Sequence, residues 1–175
     1  RYPGFTGFLA ARMAAYYAYG MAGIVDPTED LDLVELHDAF TISDIQTYED
    51  VGIRPYGEGR TYVESGDCFH TNPFTGLPGK LPANLSGGLI GNMHAVGATG
   101  IMQVVEVAQH IWGRWGEMHS DEAKWKRFNR VKPDDWTNLQ VVGAKRGMAI
   151  SHAGVGSHVT ATILVHPDHQ LKGRA

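Results

Sequence analysis

The chain is poor in cysteine and has no long hydrophobic run. Its 175 residues include a single cysteine, Cys68, which excludes an internal disulfide and fits a reducing compartment. No apolar segment approaches the roughly 20 residues that a membrane-spanning helix needs. The first apolar stretch, residues 8–23, also lacks the charged start and the cleavage pattern of a signal peptide. We therefore expect a cytoplasmic protein with no membrane partner.

Charge is also sparse. Charged residues make up 19% of the chain against 43% hydrophobic residues, and the formal net charge is −4. This balance gives no reason to expect a nucleic acid or an anionic surface as a partner. The length suits one domain with a sizeable core. Because the first residue is Arg1 and not methionine, we expect the chain to begin inside a longer protein.

Hydrophobic periodicity predicts alternating helices and strands, which is typical of an α/β fold. The predicted helices cover residues 7–20, 38–52 and about 98–115, and the predicted strands cover residues 31–37, 140–151 and 159–165.

Three further segments do not follow this alternation. Residues 53–82 are rich in glycine, proline and scattered aromatic residues, and we predict a long irregular loop that covers a site or a partner surface. Residues 112–139 are polar and contain tryptophan, which indicates an insertion of helix and loop. Residues 166–175 form a polar tail that we expect to fray.

The most informative stretch is a glycine-rich loop at residues 84–100 that leads into the helix pattern starting near residue 101. It has five glycines in the fourteen residues 87–100 and one histidine, His94. Glycines let the backbone approach a ligand closely, and the N–H groups at a helix start attract negative charge. The pattern outlines an acyl or anion site. Taken alone it is a weak signal, since glycine clusters usually only turn the chain.

Two other stretches carry histidine in a suggestive place. Residues 35–40 read Glu-Leu-His-Asp-Ala-Phe, and His37 falls at the carboxyl end of a predicted strand, where α/β sheets bind ligands. The alternative is that Asp38 caps the next helix and His37 is a bystander. His152 is predicted to lie on the glycine-rich turn around residues 153–156 that joins the last two strands.

In this order and at this spacing, the three stretches resemble the C-terminal half of a thiolase. The likeness is closest to the sterol-carrier-protein-type thiolases and archaeal acetyl-CoA C-acetyltransferases. In that group the pattern reads His-Asp-x-Phe, Asn-x-Ser-Gly-Gly, Gly-His-Pro-x-Gly-Ala-Thr-Gly and His-Asn-x-Gly-x-Gly. The resemblance covers residues 4–165. It implies an α/β, thiolase-fold C-terminal domain at residues 1–165, with a mixed five-stranded sheet and helices on both faces.

The resemblance also implies acyl-CoA C-acyltransfer, either the condensation of two acyl-CoAs or the thiolytic cleavage of a 3-oxoacyl-CoA. His94 would activate a nucleophilic cysteine, His152 would move the α-proton, and His37 would contribute to an oxyanion hole. Coenzyme A thioesters are the implied substrates, with no bound cofactor and no metal. Motif positions near these histidines are expected to bind substrate: Asn84, Gly97, Gly154 and Gly156.

Some positions depart from the family pattern. Met93 and Ala95 stand where the pattern has glycine and proline, and Ser157 and His158 replace the end of the glycine-rich turn. The first pair reshapes the space beside the thioester and therefore bears on which acyl group is accepted.

The family nucleophile has no counterpart here, because the flanks of Cys68 do not match its motif. We expect the cysteine to come from an N-terminal thiolase half, in the same chain or in a separate subunit, and the assembly to dimerise as thiolases do. One alternative is a thiolase for bulky or aromatic acyl groups with an OB-fold or zinc-ribbon partner protein. Another is a catalytically silent subunit that binds acyl-CoA or a partner.

Overall fold

The computed structural model describes residues 6–127 and 130–169. Its sheet has three strands in the order β1-β2-β3, where β1 is Leu33–Glu35, β2 is Arg146–Ala153 and β3 is His158–Val165. Strand β1 runs parallel to β2, and β2 runs antiparallel to β3, so the sheet is mixed.

The prediction of five strands is wrong for the part of the chain that the structure describes. Beside β1 the chain returns only as a single parallel bridge between Val34 and Ala83. Pro82 has no N–H to extend this pairing, and Asn84 turns away with a φ of 52°. The sheet therefore gains one bridge here and no further strand.

Eight helices accompany the sheet within the described ranges. They are α1 Leu9–Ala22, α2 Pro27–Asp30, α3 Thr41–Asp50, α4 Gly59–Glu64, α5 Gly88–Gly91, α6 Thr99–Ile111, α7 Trp115–Ser120 and α8 Glu122–Arg127. None of these helices has the length and apolar character needed to cross a membrane.

Helices cover both faces of the sheet, as predicted. Alternate side chains of β2 point to opposite faces, so Met148 and Ile150 join the core cluster that contains residues of α1, while Ala149 joins the cluster around α6. At Gly147 an added Cβ would lie 2.6 Å from a side-chain carbon of Val107. Glycine at this position therefore lets α6 lie close against the strand.

The segment at residues 53–82 is more ordered than the predicted irregular loop. It contains α4, and it contributes Tyr62 and Cys68 to the core. The Tyr62 hydroxyl donates a hydrogen bond to the carbonyl of Leu81. These aromatic and sulfur groups fill the interior and so are not free to cover a ligand.

The later segments also differ in detail. Helices α7 and α8 lie in the predicted insertion, of which residues 128–129 fall outside the described residues. Strand β2 begins at Arg146 and not at Gln140, because the Gln140 side chain instead accepts from the backbone N–H of Trp115 and donates to the carbonyl of His110. Of the predicted tail, residues 170–175 lie outside the described residues, as do residues 1–5 of the predicted domain.

Candidate active site

Three histidine rings from distant parts of the chain converge at the carboxyl end of β1. The rings of His37 and His152 stack with centroids 4.7 Å apart, and the His94 ring stands edge-on to His37 at 5.3 Å. His37 follows β1, His94 lies in the glycine-rich loop before α6, and His152 is the penultimate residue of β2. We call these residues the histidine trio. The structure thus brings together all three histidines that the sequence singled out.

His37 is held as a neutral ring with a defined tautomer. Burial, and secondarily the proximity of His94, lowers its pKa to about 4. Its Nδ1 accepts the backbone N–H of His152 at 3.2 Å, so the proton of the neutral ring resides on Nε2. An imidazole in this state can donate a hydrogen bond to an oxygen that develops negative charge.

His152 is also neutral, and one of its ring nitrogens has no partner. Burial, followed by the proximity of His37, lowers its pKa to about 4. Its Nε2 is buried and makes no hydrogen bond within the described structure. Phe8 packs edge-on against the ring at 5.1 Å and fixes its orientation. A fixed neutral imidazole with a free nitrogen can accept a proton from a carbon acid placed against it.

His94 differs from the other two because its side chain is exposed. Its Nδ1 lies 2.9 Å from the Oγ1 of Thr99, the first residue of α6, which is itself buried. The contact leaves Nε2 as the ring nitrogen that can face a reacting group. Sequence reasoning did not assign Thr99, although the Ala-Thr-Gly of the family pattern contained the signal.

Asp38 supports the glycine-rich loop and does not cap its own helix. Its carboxylate accepts the backbone N–H of Leu89 at 2.7 Å, while α3 begins after Phe40 without a side-chain cap. Burial raises the pKa of this carboxyl. Gly88 has a φ of +63°, and a Cβ there would overlap the Asp38 carboxylate. Glycine and aspartate together hold the short helix α5 against Asp38, the residue that follows His37.

Glu35 is a second buried acid that sequence reasoning missed. Its carboxyl group is fully buried and accepts the Ser86 backbone N–H at 3.1 Å and the Ser86 hydroxyl at 2.7 Å. Burial raises its pKa to about 8. The available signal was an acidic residue within the otherwise apolar end of a strand.

The four predicted substrate-binding positions have different surroundings. Both polar atoms of the Asn84 side chain already make hydrogen bonds within the chain. Its Oδ1 accepts the N–H of Leu36 at 2.6 Å, and its Nδ2 donates to Asp44. Gly97 is exposed, and nothing lies within 4 Å of where a Cβ would be. Together with His152 it borders a cavity of about 910 Å³.

The other two glycines shape the turn after β2. Gly154 and Gly156 have φ values of 60° and 75°, which favour glycine. At Gly156 an added Cβ would overlap the ring of Phe8. Their first role is therefore conformational, and substrate binding by these positions remains a prediction.

The chain's cysteine is not part of the histidine trio. Cys68 is buried in the core, and burial, followed by the charge of Asp44, raises its pKa to about 11. A thiol in that state is a poor nucleophile at neutral pH. Among residues 6–127 and 130–169, no group of three or more histidine, cysteine, aspartate or glutamate residues could hold a metal ion.

Comparison with known proteins identifies similar sequences. The profile of the family described as Thiolase C-terminal domain-like matches residues 1–126. Sterol carrier protein 2 of Bos taurus is 39% identical over 119 residues, which is 68% of this chain and 20% of the relative. Acetyl-CoA acetyltransferase of Methanothermobacter thermautotrophicus is 39% identical over 111 residues, which is 63% of this chain and 27% of the relative.

A third relative is the Benzoylsuccinyl-CoA thiolase subunit BbsB of Thauera aromatica. It is 35% identical over 99 residues, which is 57% of this chain and 23% of the relative. The chain therefore spans about a fifth to a quarter of the length of these curated relatives.

A solved structure, the Ltp2-ChsH2(DUF35) aldolase, resembles the fold. The TM-score is 0.68, with 95% of this chain and 34% of that chain covered at 19% sequence identity. At this identity the similarity concerns the fold alone.

Proposed function

Because the chain belongs to the Thiolase C-terminal domain-like family, we propose that it supplies the histidine half of an acyl-CoA C-acyltransferase site. The substrates would be coenzyme A thioesters. The observation that carries the proposal is the histidine trio: three segments far apart in sequence bring the rings of His94 and His152 within 5.3 Å of the His37 ring, and burial keeps two of the rings neutral. A neutral imidazole keeps a lone pair free at pH 7 and can therefore accept a proton.

In this proposal each ring has a separate task. His94 takes the proton of a cysteine thiol, whose sulfur attacks the acyl carbonyl carbon and forms a thioester as the CoA thiolate leaves. His152, which borders the larger cavity, removes the α-proton of a second acyl-CoA. The resulting carbanion attacks the enzyme-bound acyl carbon and releases the cysteine thiolate. The Nε2 proton of His37 stabilises the oxyanion that forms.

The cysteine would come from an N-terminal thiolase half, in the same polypeptide or in a partner subunit. The surface beside the trio supports such a contact, because α1 and α6 expose large apolar side chains around the cavity that His152 borders. These side chains are Met13, Tyr17, Ile101 and Val105. Contiguous apolar surface of this kind marks a protein interface. A thiolase-like dimer is part of the same proposal.

A further partner is also proposed. In the Ltp2-ChsH2(DUF35) aldolase, Ltp2 is paired with a DUF35 protein, which is a property of that complex. For this chain we propose an OB-fold or zinc-ribbon partner as an additional subunit. Co-purification of such a protein with the assembled complex would support this, and a complete active assembly without one would count against it.

The test uses the complete protein that carries this chain, with any partner subunit present. Thiolysis of 3-oxoacyl-CoAs of increasing acyl size by free CoA is followed as acyl-CoA release, for the wild type and for His94→Ala and His152→Ala. We expect the wild type to be active and each variant to lose most activity while it still assembles. If both variants keep wild-type rates, or if no thioester is consumed, the catalytic proposal fails and the silent, ligand-binding alternative is favoured.

A further inference from the structure

A second cavity, separate from the one that His152 borders, lies between the glycine-rich loop and the inserted helices α7 and α8. It has a volume of about 690 Å³, within the range of sites that enclose small organic ligands. One wall is formed by Gly91, Asn92 and Met93 of the loop. Met93 directly precedes His94, so the two Cα atoms are about 3.8 Å apart and the cavity lies next to the backbone of His94.

The opposite wall is built by the insertion and combines apolar and cationic groups. Met118 and Trp125 supply large apolar surface, and Arg130 supplies a permanent positive charge. His119 also lines the cavity. An indole face and a thioether suit an aromatic or extended hydrocarbon group, whereas a guanidinium suits a carboxylate.

A buried amide of α6 also lines the cavity and has an unused hydrogen-bonding atom. Gln109 is 8% exposed and lines the cavity, and its Oε1 has no hydrogen-bond partner within the described structure. Leaving such an atom buried without a partner is unfavourable, so the amide is suited to a polar group on a bound molecule. Since a rotated amide presents its NH₂ group instead, Gln109 can donate to a carboxylate.

The cavity wall is also preformed. The Trp115 indole donates to the buried Glu106 carboxylate at 2.7 Å, and the Trp125 indole donates to the carbonyl of His119 at 2.8 Å. Glu106 further lies 3.5 Å from His119 Nε2. The negative charge of Glu106 is thus engaged within the wall, and Glu106 does not line the cavity.

We propose that this cavity binds the acyl group of the substrate, and that this acyl group is aromatic or extended and carries a carboxylate. The assignment rests on the proposed acyl transfer, because it is the neighbourhood of His94 that makes the occupant an acyl group. An acetyl group would leave most of the volume unfilled. The cavity therefore selects against the smallest thioesters, and Arg130 and Gln109 select for the acid group.

The first experiment measures binding without turnover. The assembled protein is titrated calorimetrically with 3-phenylglutarate and with 3-phenylbutanoate, which differ by one carboxyl group. We expect 3-phenylglutarate to bind at least about tenfold more tightly, the value for one charge-assisted hydrogen bond. Arg130→Ala should remove this preference, and Gln109→Glu should reverse it by charge repulsion. Arg114→Ala is the matched control, because Arg114 is exposed and does not line the cavity.

The second experiment measures kcat/KM for acetoacetyl-CoA and for an aryl 3-oxoacyl-CoA that bears a carboxylate. Arg130→Ala should lower the second value about tenfold or more relative to the first, so the ratio of the two values changes by that factor. If neither probe binds, or if Arg130→Ala and Arg114→Ala behave alike, the assignment of this cavity to the acyl group is wrong. Activity on acetoacetyl-CoA would in that case still support the proposed function. If the probes bind as expected but no thioester is consumed, the proposed function fails and the acyl assignment falls with it.

Discussion

Two clusters of histidine rings in this chain look similar and are built differently. The first is the histidine trio. The second, which we call the anchor cluster, consists of His110, Trp115 and His119 around Glu106. In the anchor cluster the rings also stack, with centroids 5.1 and 4.0 Å apart. Its members lie close together in sequence on the neighbouring helices α6 and α7.

The difference lies in the carboxylate and in the sequence separation. Glu106 accepts from Trp115 and lies beside His119, so the acid of the anchor cluster is satisfied and ties α7 to α6. In the trio, His37 and His152 are 115 residues apart and are joined by a backbone N–H, with an unpartnered nitrogen on His152. His110 of the anchor cluster also accepts a backbone N–H, that of Val141, and its Nε2 has no partner within the described residues. The nearby carboxylate and the short sequence separation are therefore what set this cluster apart from the trio.

Substituting one histidine of each cluster by alanine should give the largest difference, and the quantity that differs is kcat. His152→Ala in the assembled protein should lower kcat by about 10²–10⁴, the contribution of a general acid or base. His119→Ala should leave kcat for acetoacetyl-CoA within about threefold and act mainly on stability. Steady-state rates of both variants, with circular dichroism as a check of folding, measure the contrast. Equal losses of kcat would show that the two clusters do not differ in role.

Removing the Glu106 carboxylate of the anchor cluster should lower the free energy of unfolding. Glu106→Ala leaves the Trp115 indole N–H buried without its partner, so we expect a loss of about 2–3 kcal/mol in the free energy of unfolding. Urea unfolding monitored by tryptophan fluorescence measures this. Glu117→Ala is the control, since Glu117 is exposed on α7 and pairs with the exposed Arg114. Its effect should stay within about 0.5 kcal/mol, and a comparable effect of both substitutions would contradict the account.

Substitutions at Gly88 and Gly91 test whether Asp38 holds the glycine-rich loop near the histidine trio. Gly88→Ala places a Cβ against the Asp38 carboxylate at a φ of +63° and should destabilise the protein by about 1–3 kcal/mol. Gly91→Ala in the same short helix meets nothing within 4 Å and should be neutral within about 0.5 kcal/mol. Thermal unfolding of both variants gives the comparison. If Gly88→Ala is as stable as Gly91→Ala, Asp38 does not hold the loop as described.

Acid sensitivity of the folded state is expected in both clusters. Burial lowers the pKa of His110 to about 3, against an ordinary value of 6.5. The unfolded chain therefore takes up a proton that the folded chain does not, and stability falls as pH falls from about 6.5 towards 3. His37 and His152, with pKa values of about 4, act in the same direction. Glu35, with a pKa of about 8, acts oppositely, since its contribution is lost as pH rises from 4.5 to 8.

The corresponding measurement is the urea midpoint as a function of pH. His110→Gln should flatten the decline below pH 6.5, because its amide oxygen can accept the Val141 N–H without titrating. The exposed His158→Gln should leave the slope unchanged. An unaltered slope in His110→Gln would show that this ring titrates alike in the folded and unfolded chains.

Much of the trio could be predicted from sequence, because its histidines occur in ordered motifs whose spacing is characteristic of one family. The alternation of helices and strands followed from periodicity, and the helices on both faces of the sheet followed from the family resemblance. The roles of Asp38 and Glu35 could not be predicted, because each acts through a hydrogen bond to a residue 51 positions away. No local pattern encodes such a pair.

The number of strands and the packing of the insertion could not be predicted from the sequence, for other physical reasons. The bridge at Ala83 ends where Pro82 and the positive φ of Asn84 interrupt pairing, so an extended pattern there did not give a strand. In the insertion the polar composition indicated helix and loop, but the cavity against Met93 depends on how α7 and α8 pack, which the composition does not specify. The inward position of Tyr62 and Cys68 likewise depends on tertiary packing.

The central claim is that this chain provides histidines to a cysteine located elsewhere in the assembled protein. The most direct measurement is the rate at which each cysteine of that protein is alkylated by iodoacetamide at pH 7, resolved by peptide mass spectrometry. We predict that one cysteine outside the present sequence reacts far faster than the buried Cys68, and that His94→Ala slows it by about tenfold or more through loss of the thiolate. Fastest labelling of Cys68, or a rate that His94→Ala leaves unchanged, would contradict the account.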